Sequence, residues 1–241
     1  MSAPLLAVRG LQAWYGAAQI LFSVELYLHA GEVVALMGRN GAGKTTTIET
    51  IMGLVAQRAG SVEFSGQEII RLRPHEIARL GLGFVPEDRR IFTDLTVLEN
   101  LEVGRRPKVS ASTLKAEPWT PDRLFQLFPN LAEARHRPAG QMSGGEQQML
   151  TVARTLMGNP LAILLDEPSE GIAPIIVESM MDMIAELKAT GVAILVSEQN
   201  IQFAAAVADR AYVVDHGEIR FSGGMAELMN NQDVRAAYLE L

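Results

Sequence analysis

The chain has 241 residues, 48% hydrophobic and 20% charged, the balance of a globular protein long enough for one sizeable α/β domain or a core with a lobe inserted in it. Its formal charge of −7 argues against a nucleic-acid binder, which needs a concentrated basic face, and the absence of cysteine excludes a disulfide framework or a thiolate metal site. The four histidines, His29, His75, His136 and His216, have no metal-ligand spacing.

The first ten residues, MSAPLLAVRG, lack the basic start and long apolar stretch of a secretory signal. Residues 5 to 36 alternate and cluster in the β manner, with a turn expected at Ala30-Gly31-Glu32. The run EVVALM is continuously apolar and predicts a strand buried on both faces. A Gly-rich loop comes next. Then Ile48, Ile51, Met52 and Val55 fall on one face of a helix. From 88 to 155 the character changes to few β runs and a polar, Pro-containing middle, RRPKVSASTLKAEPWTP, which predicts a mostly helical insertion with a loose connection. Residues 1–87 and 156–241 are expected to form the core around that insertion, as one domain. The run LAILLDEP predicts a second buried strand ending in two acids. Pro174 opens the next helix, whose expected apolar stripe is Val177, Met180, Met181, Ile184 and Leu187, and AILV is the strand after it. No apolar run approaches the roughly 18–20 residues that cross a bilayer, so any crossing falls to another chain.

Three motifs carry chemistry. GRNGAGKTT satisfies G-x-x-x-x-G-K-[ST] with Gly38, Gly43, Lys44 and Thr45, between a predicted strand and a predicted helix. Glycines there let successive N–H groups of Arg39, Asn40, Gly41, Ala42 and Thr46 turn around a phosphate. Lys44 supplies a cation for β/γ oxygens and Thr45 a hydroxyl for Mg²⁺. Asp166 and Glu167 end the buried strand, one suited to hold Mg²⁺ and the other to deprotonate an attacking water. Two such neighbours are costly without a cation between them and the phosphates. MSGGEQQ, with Ser143, Gly144, Gly145 and Glu146, reads alone as a helix N-cap.

The order of these three motifs resembles the ATP-binding cassette family, the motor subunits of ABC transporters, and the resemblance covers essentially the whole chain. It implies an α/β P-loop NTPase (RecA-like) core with an N-terminal antiparallel β subdomain and an inserted α-helical subdomain. It further implies ATP and Mg²⁺, hydrolysis coupled to transport, and head-to-tail pairing with a second ATPase subunit, identical or homologous. Ser143 and Gly145 would then meet the γ-phosphate held by the partner chain, and Tyr15 would stack on adenine. Transmembrane permease subunits would be the direct partners, on the cytoplasmic face of the inner membrane, with a periplasmic solute-binding protein involved indirectly and no nucleic acid.

Three positions depart from the family's common pattern. Glu87 stands where Gln is expected, as a further Mg²⁺ ligand; Ala173 replaces an Asp; and Gln199, in SEQN, aligns with the switch histidine. An amide donates to a phosphate oxygen at any pH, so Gln199 is expected to sense the γ-phosphate. VPEDRRIF, SEGIAP and EQN together resemble the importer branch for branched-chain amino acids, urea and related amides. Lipid or lipopolysaccharide exporters, which retain the Gln, Asp and His, and non-transport cassettes are the alternatives. A GTPase would need an N-K-x-D run, which is absent. The cargo stays open, since specificity lies in other chains.

Overall fold

A computed structural model describes residues 3–106 and 117–239. Most of the polar connection expected between 105 and 121 lies outside the described residues. The chain opens with β1 (Leu6–Tyr15), β2 (Ala18–Leu28), β3 (Val33–Met37), α1 (Lys44–Ile51), β4 (Gln57–Phe64), β5 (Gln67–Glu68), α2 (Pro74–Arg79) and β6 (Leu82–Val85). Helices come next: α3 (Val97–Gly104), α4 (Pro121–Leu127), α5 (Pro129–Glu133) and α6 (Gly144–Leu156). The chain then returns through β7 (Ala162–Asp166), α7 (Pro174–Ala189), β8 (Ala193–Glu198), α8 (Ile201–Val207), β9 (Arg210–Asp215), β10 (Glu218–Gly224), α9 (Met225–Asn230) and α10 (Gln232–Tyr238).

These elements make two sheets. An antiparallel one runs β2-β1-β4-β5, and a six-stranded one runs β10-β9-β3-β8-β7-β6, parallel except for the antiparallel edge strand β10. The uninterrupted apolar runs become the central strands because each is covered on both faces. Along β3, Val33, Ala35 and Met37 enter one core with α6 and α7, while Val34 and Leu36 enter the other with α1 and the antiparallel sheet. Period-two alternation thus divides one strand between two cores.

Of the four residues expected on one face of the first helix, Ile48 and Ile51 lie in α1 and Met52 caps its C-terminal end, whereas Val55 comes after the helix has ended; all four are buried. In α7 the fully buried residues are Met180, Met183, Ile184 and Leu187, whereas Val177 and Met181 are only partly covered. The stripe is therefore rotated toward Met183. Helix α6 ends at Leu156, one residue beyond the edge expected at 155.

Strand order gathers three loops at one edge of the parallel sheet. β8 lies between β3 and β7, so the loops leaving the C-terminal ends of these three parallel strands open side by side. Ligands of open α/β sheets bind at such ends.

Candidate active site

The loop from Gly38 to Gly43 joins β3 to α1. A Cβ at Gly38 would lie 2.4 Å from the Val214 carbonyl oxygen, so only glycine lets the loop leave the strand this closely. Gly43 has φ +110°, a conformation L side chains rarely adopt, and caps α1 with no side chain. No acid occupies the first turn of α1, which leaves its N-terminal N–H groups and positive dipole end for an external anion. Lys44 is buried and folds back over the loop, donating from Nζ to the carbonyls of Gly38 at 2.8 Å and Arg39 at 3.1 Å. Its Nζ also lies 3.1 Å from Glu167 Oε1.

At the end of β7, Asp166 and Glu167 are both buried. Thr45 Oγ1 donates to Asp166 Oδ1 at 3.2 Å, and Ser197 Oγ donates to the same oxygen at 2.5 Å. Burial pushes the Asp166 carboxyl up against these two donors, and the like charges of Glu167 and Glu87 push the same way. Burial also raises Glu167, but the hydrogen bond from Glu170 and the Lys44 ammonium outweigh it and hold Glu167 below the usual carboxylate range. Its neighbour takes the proton: sharing it with Glu167, and to a lesser degree its own burial, holds Glu170 up at about 7. Glu167 is also a backbone outlier at φ 45°. A non-glycine residue in that region costs about 1–2 kcal/mol, and such strain clusters at functional sites.

The remaining expected residues take distinct places. Tyr15, at the end of β1, is half exposed and hydrogen-bonds Glu49 of α1 at 3.1 Å, one turn past Thr45 and Thr46. Gln199 comes directly after β8, whose Glu198 pairs with Met37 and whose Ser197 pairs with Asp166, so it stands between the Gly38 loop and the two acids. Glu87 is exposed on the loop after β6. Ser143 to Glu146 lie apart from this cluster. They begin α6 with a reciprocal cap, in which Ser143 Oγ accepts from the Glu146 N–H at 3.3 Å and Glu146 accepts from the Ser143 N–H at 2.7 Å. The N-cap reading of SGGE is thus correct in itself. A Cβ on Gly144 would meet the Arg89 guanidinium at 2.7 Å, and one on Gly145 would meet Ile176 at 3.0 Å.

Two buried residues of the site escaped the sequence reading, Ser197 and Glu198. Glu198 accepts from the Ser169 N–H at 3.1 Å and the Asn200 N–H at 3.3 Å. Asn200 in turn caps α8 by accepting from the N–H groups of Gln202 and Phe203 at 3.0 and 3.2 Å. The available signal was a Ser-Glu pair continuing an apolar strand.

The donor set around Asp166 suits Mg²⁺, which takes one or two protein oxygens and leaves its other positions to water and phosphate. The Thr45 hydroxyl and Asp166 carboxylate supply that pair, and a cation in front of them would offset the crowding of acids that raises Asp166. Among the described residues no group of three or more His, Cys, Asp or Glu side chains is placed to hold a metal ion, and Glu87 bears on Asp166 as a like charge from the exposed loop after β6.

Residues 21–170 match the family model described as ABC transporter. The chain is 41% identical over 236 residues to the high-affinity branched-chain amino acid transport ATP-binding protein BraG of Pseudomonas aeruginosa, covering 98% of this chain and 99% of that one. It is 35% identical over 239 residues to the lipopolysaccharide export system ATP-binding protein LptB of Haemophilus influenzae, covering 98% and 97%. Its fold matches the ADP conformation of MJ1267, an ATP-binding cassette of an ABC transporter, with a TM-score of 0.79 at 26% identity over 98% of both chains. A phosphate-ready loop, an acid pair beside it and these matches agree: the chain belongs to the ABC transporter family, as an ATP-binding and ATP-hydrolysing subunit.

Proposed function

We propose that this subunit powers import of branched-chain amino acids or a related small solute, acting as one of two paired ATPases on the cytoplasmic side of membrane-spanning permeases. The higher identity to BraG than to LptB supports import over export. The observation that carries the chemistry is the convergence of Lys44, Thr45, Asp166, Glu167 and Ser197 at three adjacent strand ends. The concavity there, about 110 Å³, is far below the roughly 300–1,000 Å³ of pockets that enclose a small molecule. An open half-site of this kind supports completion by a second chain, and the capped turn at Ser143–Glu146, remote from its own Lys44, is the surface we assign to that role.

In this reading the ATP phosphates occupy the N–H ring of residues 38–46, Tyr15 stacks on the adenine, and Lys44 exchanges Glu167 for β/γ oxygens. Bound Mg²⁺, held by Thr45 and Asp166 with Glu87 as a further oxygen donor, would neutralise phosphate charge. Glu167, released from Lys44, accepts the proton of a water whose oxygen attacks the γ-phosphorus as the bond to the ADP oxygen breaks. Gln199 donates its amide N–H to a γ-phosphate oxygen. The signature turn of the second subunit closes over the same phosphate with backbone N–H groups.

A groove of about 390 Å³ between α2, β6, α3 and α6 supports the permease contact. Leu54, Phe92 and Val103 line it and are more than 40% exposed, and Arg154 lies over the Phe92 ring at 5.0 Å. Clustered exposed apolar side chains of this kind mark interaction surfaces.

The test is uptake of labelled leucine, urea and a short amide in cells carrying this chain or its Lys44→Ala variant as the sole copy. Leucine uptake lost only in the variant is expected. Normal uptake of all three solutes in the variant contradicts the reading.

A further inference from the structure

Ser197 and Glu198 are buried side by side at the end of β8, at 0% and 2% exposure. A strand position enclosed to this degree is ordinarily apolar, and a carboxylate there is expensive unless its oxygens are satisfied. Glu198 is satisfied in an unusual way. The charge acting on it is the like charge of Glu167, and its donors are the Ser169 N–H and hydroxyl and the Asn200 N–H. One oxygen thus holds the turn after Glu167, and the other holds the backbone just past Gln199. Ser197 acts on the opposite flank of the same turn. Its hydroxyl donates to Asp166 at 2.5 Å and accepts the Glu167 N–H at 3.1 Å. Between them the two side chains grip the segment from 166 to 169 on either side of Glu167, the residue whose backbone is held at φ 45°.

We propose that Ser197 and Glu198 are positioning residues for ATP hydrolysis: Ser197 fixes Asp166 and the N–H of Glu167, and Glu198 ties the Glu167–Glu170 turn to the strand end that presents Gln199. The base and the γ-phosphate sensor then keep one relative placement without either touching the other. This inference rests on the proposed roles of Glu167 and Gln199.

The substitution Glu198→Gln keeps the volume but turns one acceptor into a donor facing an N–H, so one tie breaks. Ser197→Ala removes both bonds of the hydroxyl, and Ser197→Thr restores the hydroxyl. Turnover of the full chain, equilibrium binding of Mg·ADP by titration calorimetry and thermal unfolding are measured together, with Glu167→Gln alongside. Glu198→Gln and Ser197→Ala are expected to lose about 10–100-fold in kcat, the loss typical when a group that orients a catalytic side chain or metal ligand is removed. Mg·ADP affinity and Tm should stay near those of the wild type, and Ser197→Thr should recover most of the rate. A kcat within twofold of the wild type in both variants overturns the inference. So does a rate loss matched by equal losses in nucleotide binding and Tm, which is the mark of a purely structural role. If Glu198→Gln is not recovered folded, the Ser197→Ala and Ser197→Thr pair decides by the same criteria. Wild-type turnover in Glu167→Gln overturns the assignment of the base, whereas a slow Glu167→Gln beside a fast Glu198→Gln and a fast Ser197→Ala overturns the positioning role alone.

Discussion

Lys44 Nζ and Glu167 Oε1 are paired 3.1 Å apart with their side chains 3% and 9% exposed. In the proposed mechanism the cation for phosphate and the acid for water thus occupy each other until nucleotide separates them. Glu167→Gln removes the competing anion, so ATP binding should tighten by about tenfold, or about 1.4 kcal/mol, while hydrolysis falls to near zero. Lys44→Ala should abolish nucleotide binding and destabilise the fold by about 3 kcal/mol, the lower end for breaking a buried pair, because Glu170 still shares its proton with Glu167. Titration calorimetry and urea unfolding check both. Unchanged ATP affinity in Glu167→Gln contradicts the exchange.

Stability should also respond to pH through Glu170. Its carboxyl is raised to about 7 from 4.5 by hydrogen bonding to Glu167, so the folded chain holds that proton more tightly than the unfolded one. The resulting stabilisation is complete below about pH 4.5 and is lost as pH rises through 7. The Glu170 side chain lies near the surface, so screening keeps the effect below about 1 kcal/mol, or under about 4 °C in Tm for a chain of this size. Glu170→Gln, neutral throughout, should flatten the decline of Tm between about pH 4.5 and 7 in the nucleotide-free protein. An identical slope in the variant removes the shared proton.

Gln199 should act without a proton of its own. Gln199→Ala is expected to slow hydrolysis about tenfold or more. Gln199→His should restore much of the rate and introduce a pH dependence near 6.5, the range in which imidazole titrates. Steady-state kinetics from pH 5.5 to 8.5 checks both, and a silent alanine variant denies Gln199 its role.

How much of the site was legible in the sequence depends on the range of each interaction. Lys44, Thr45, Asp166 and Glu167 could be read because each is fixed by its spacing from an apolar strand that precedes it. The convergence of their loops required only the strand order of a parallel sheet. Ser197 and Glu198 could not be read in this way. Their partners lie 31 and 29 residues away, at Asp166 and Ser169, across a pairing that local periodicity does not encode. Of the Glu-Gln-Asn end of β8 the sequence singles out only Gln199, whereas the structure gives its neighbours separate tasks, Glu198 as a buried tie and Asn200 as a helix cap. Met183 was passed over in α7 for a similar reason, since the face a helix buries depends on what packs against it. The left-handed Arg89 and Arg90, at φ 63° and 45°, had no sequence signal, as they are held by α6, with Thr151 donating to the Arg89 carbonyl at 2.6 Å and Arg154 to that of Arg90 at 2.7 Å.

Asn159 offers a test of the fold separate from catalysis. At φ 51°, its side chain accepts from the Trp119 N–H at 2.8 Å and donates to the Arg106 carbonyl at 2.8 Å. Asn159→Ala should cost about 2–4 kcal/mol, the sum of two lost bonds to backbone, one of them buried, and about 1 kcal/mol of left-handed strain. Asn159→Gly should cost less by that last amount. Equal losses in urea unfolding would mean that backbone strain is not part of the penalty.

In the proposed pairing, a second chain completes the site around each nucleotide. The molar mass of Glu167→Gln in solution, measured by light scattering with Mg·ATP and then with Mg·ADP, tests this most directly. A mass of two chains with ATP and one with ADP is the expected result. A single-chain mass with ATP bound at one per chain, together with wild-type turnover that does not depend on protein concentration, contradicts it.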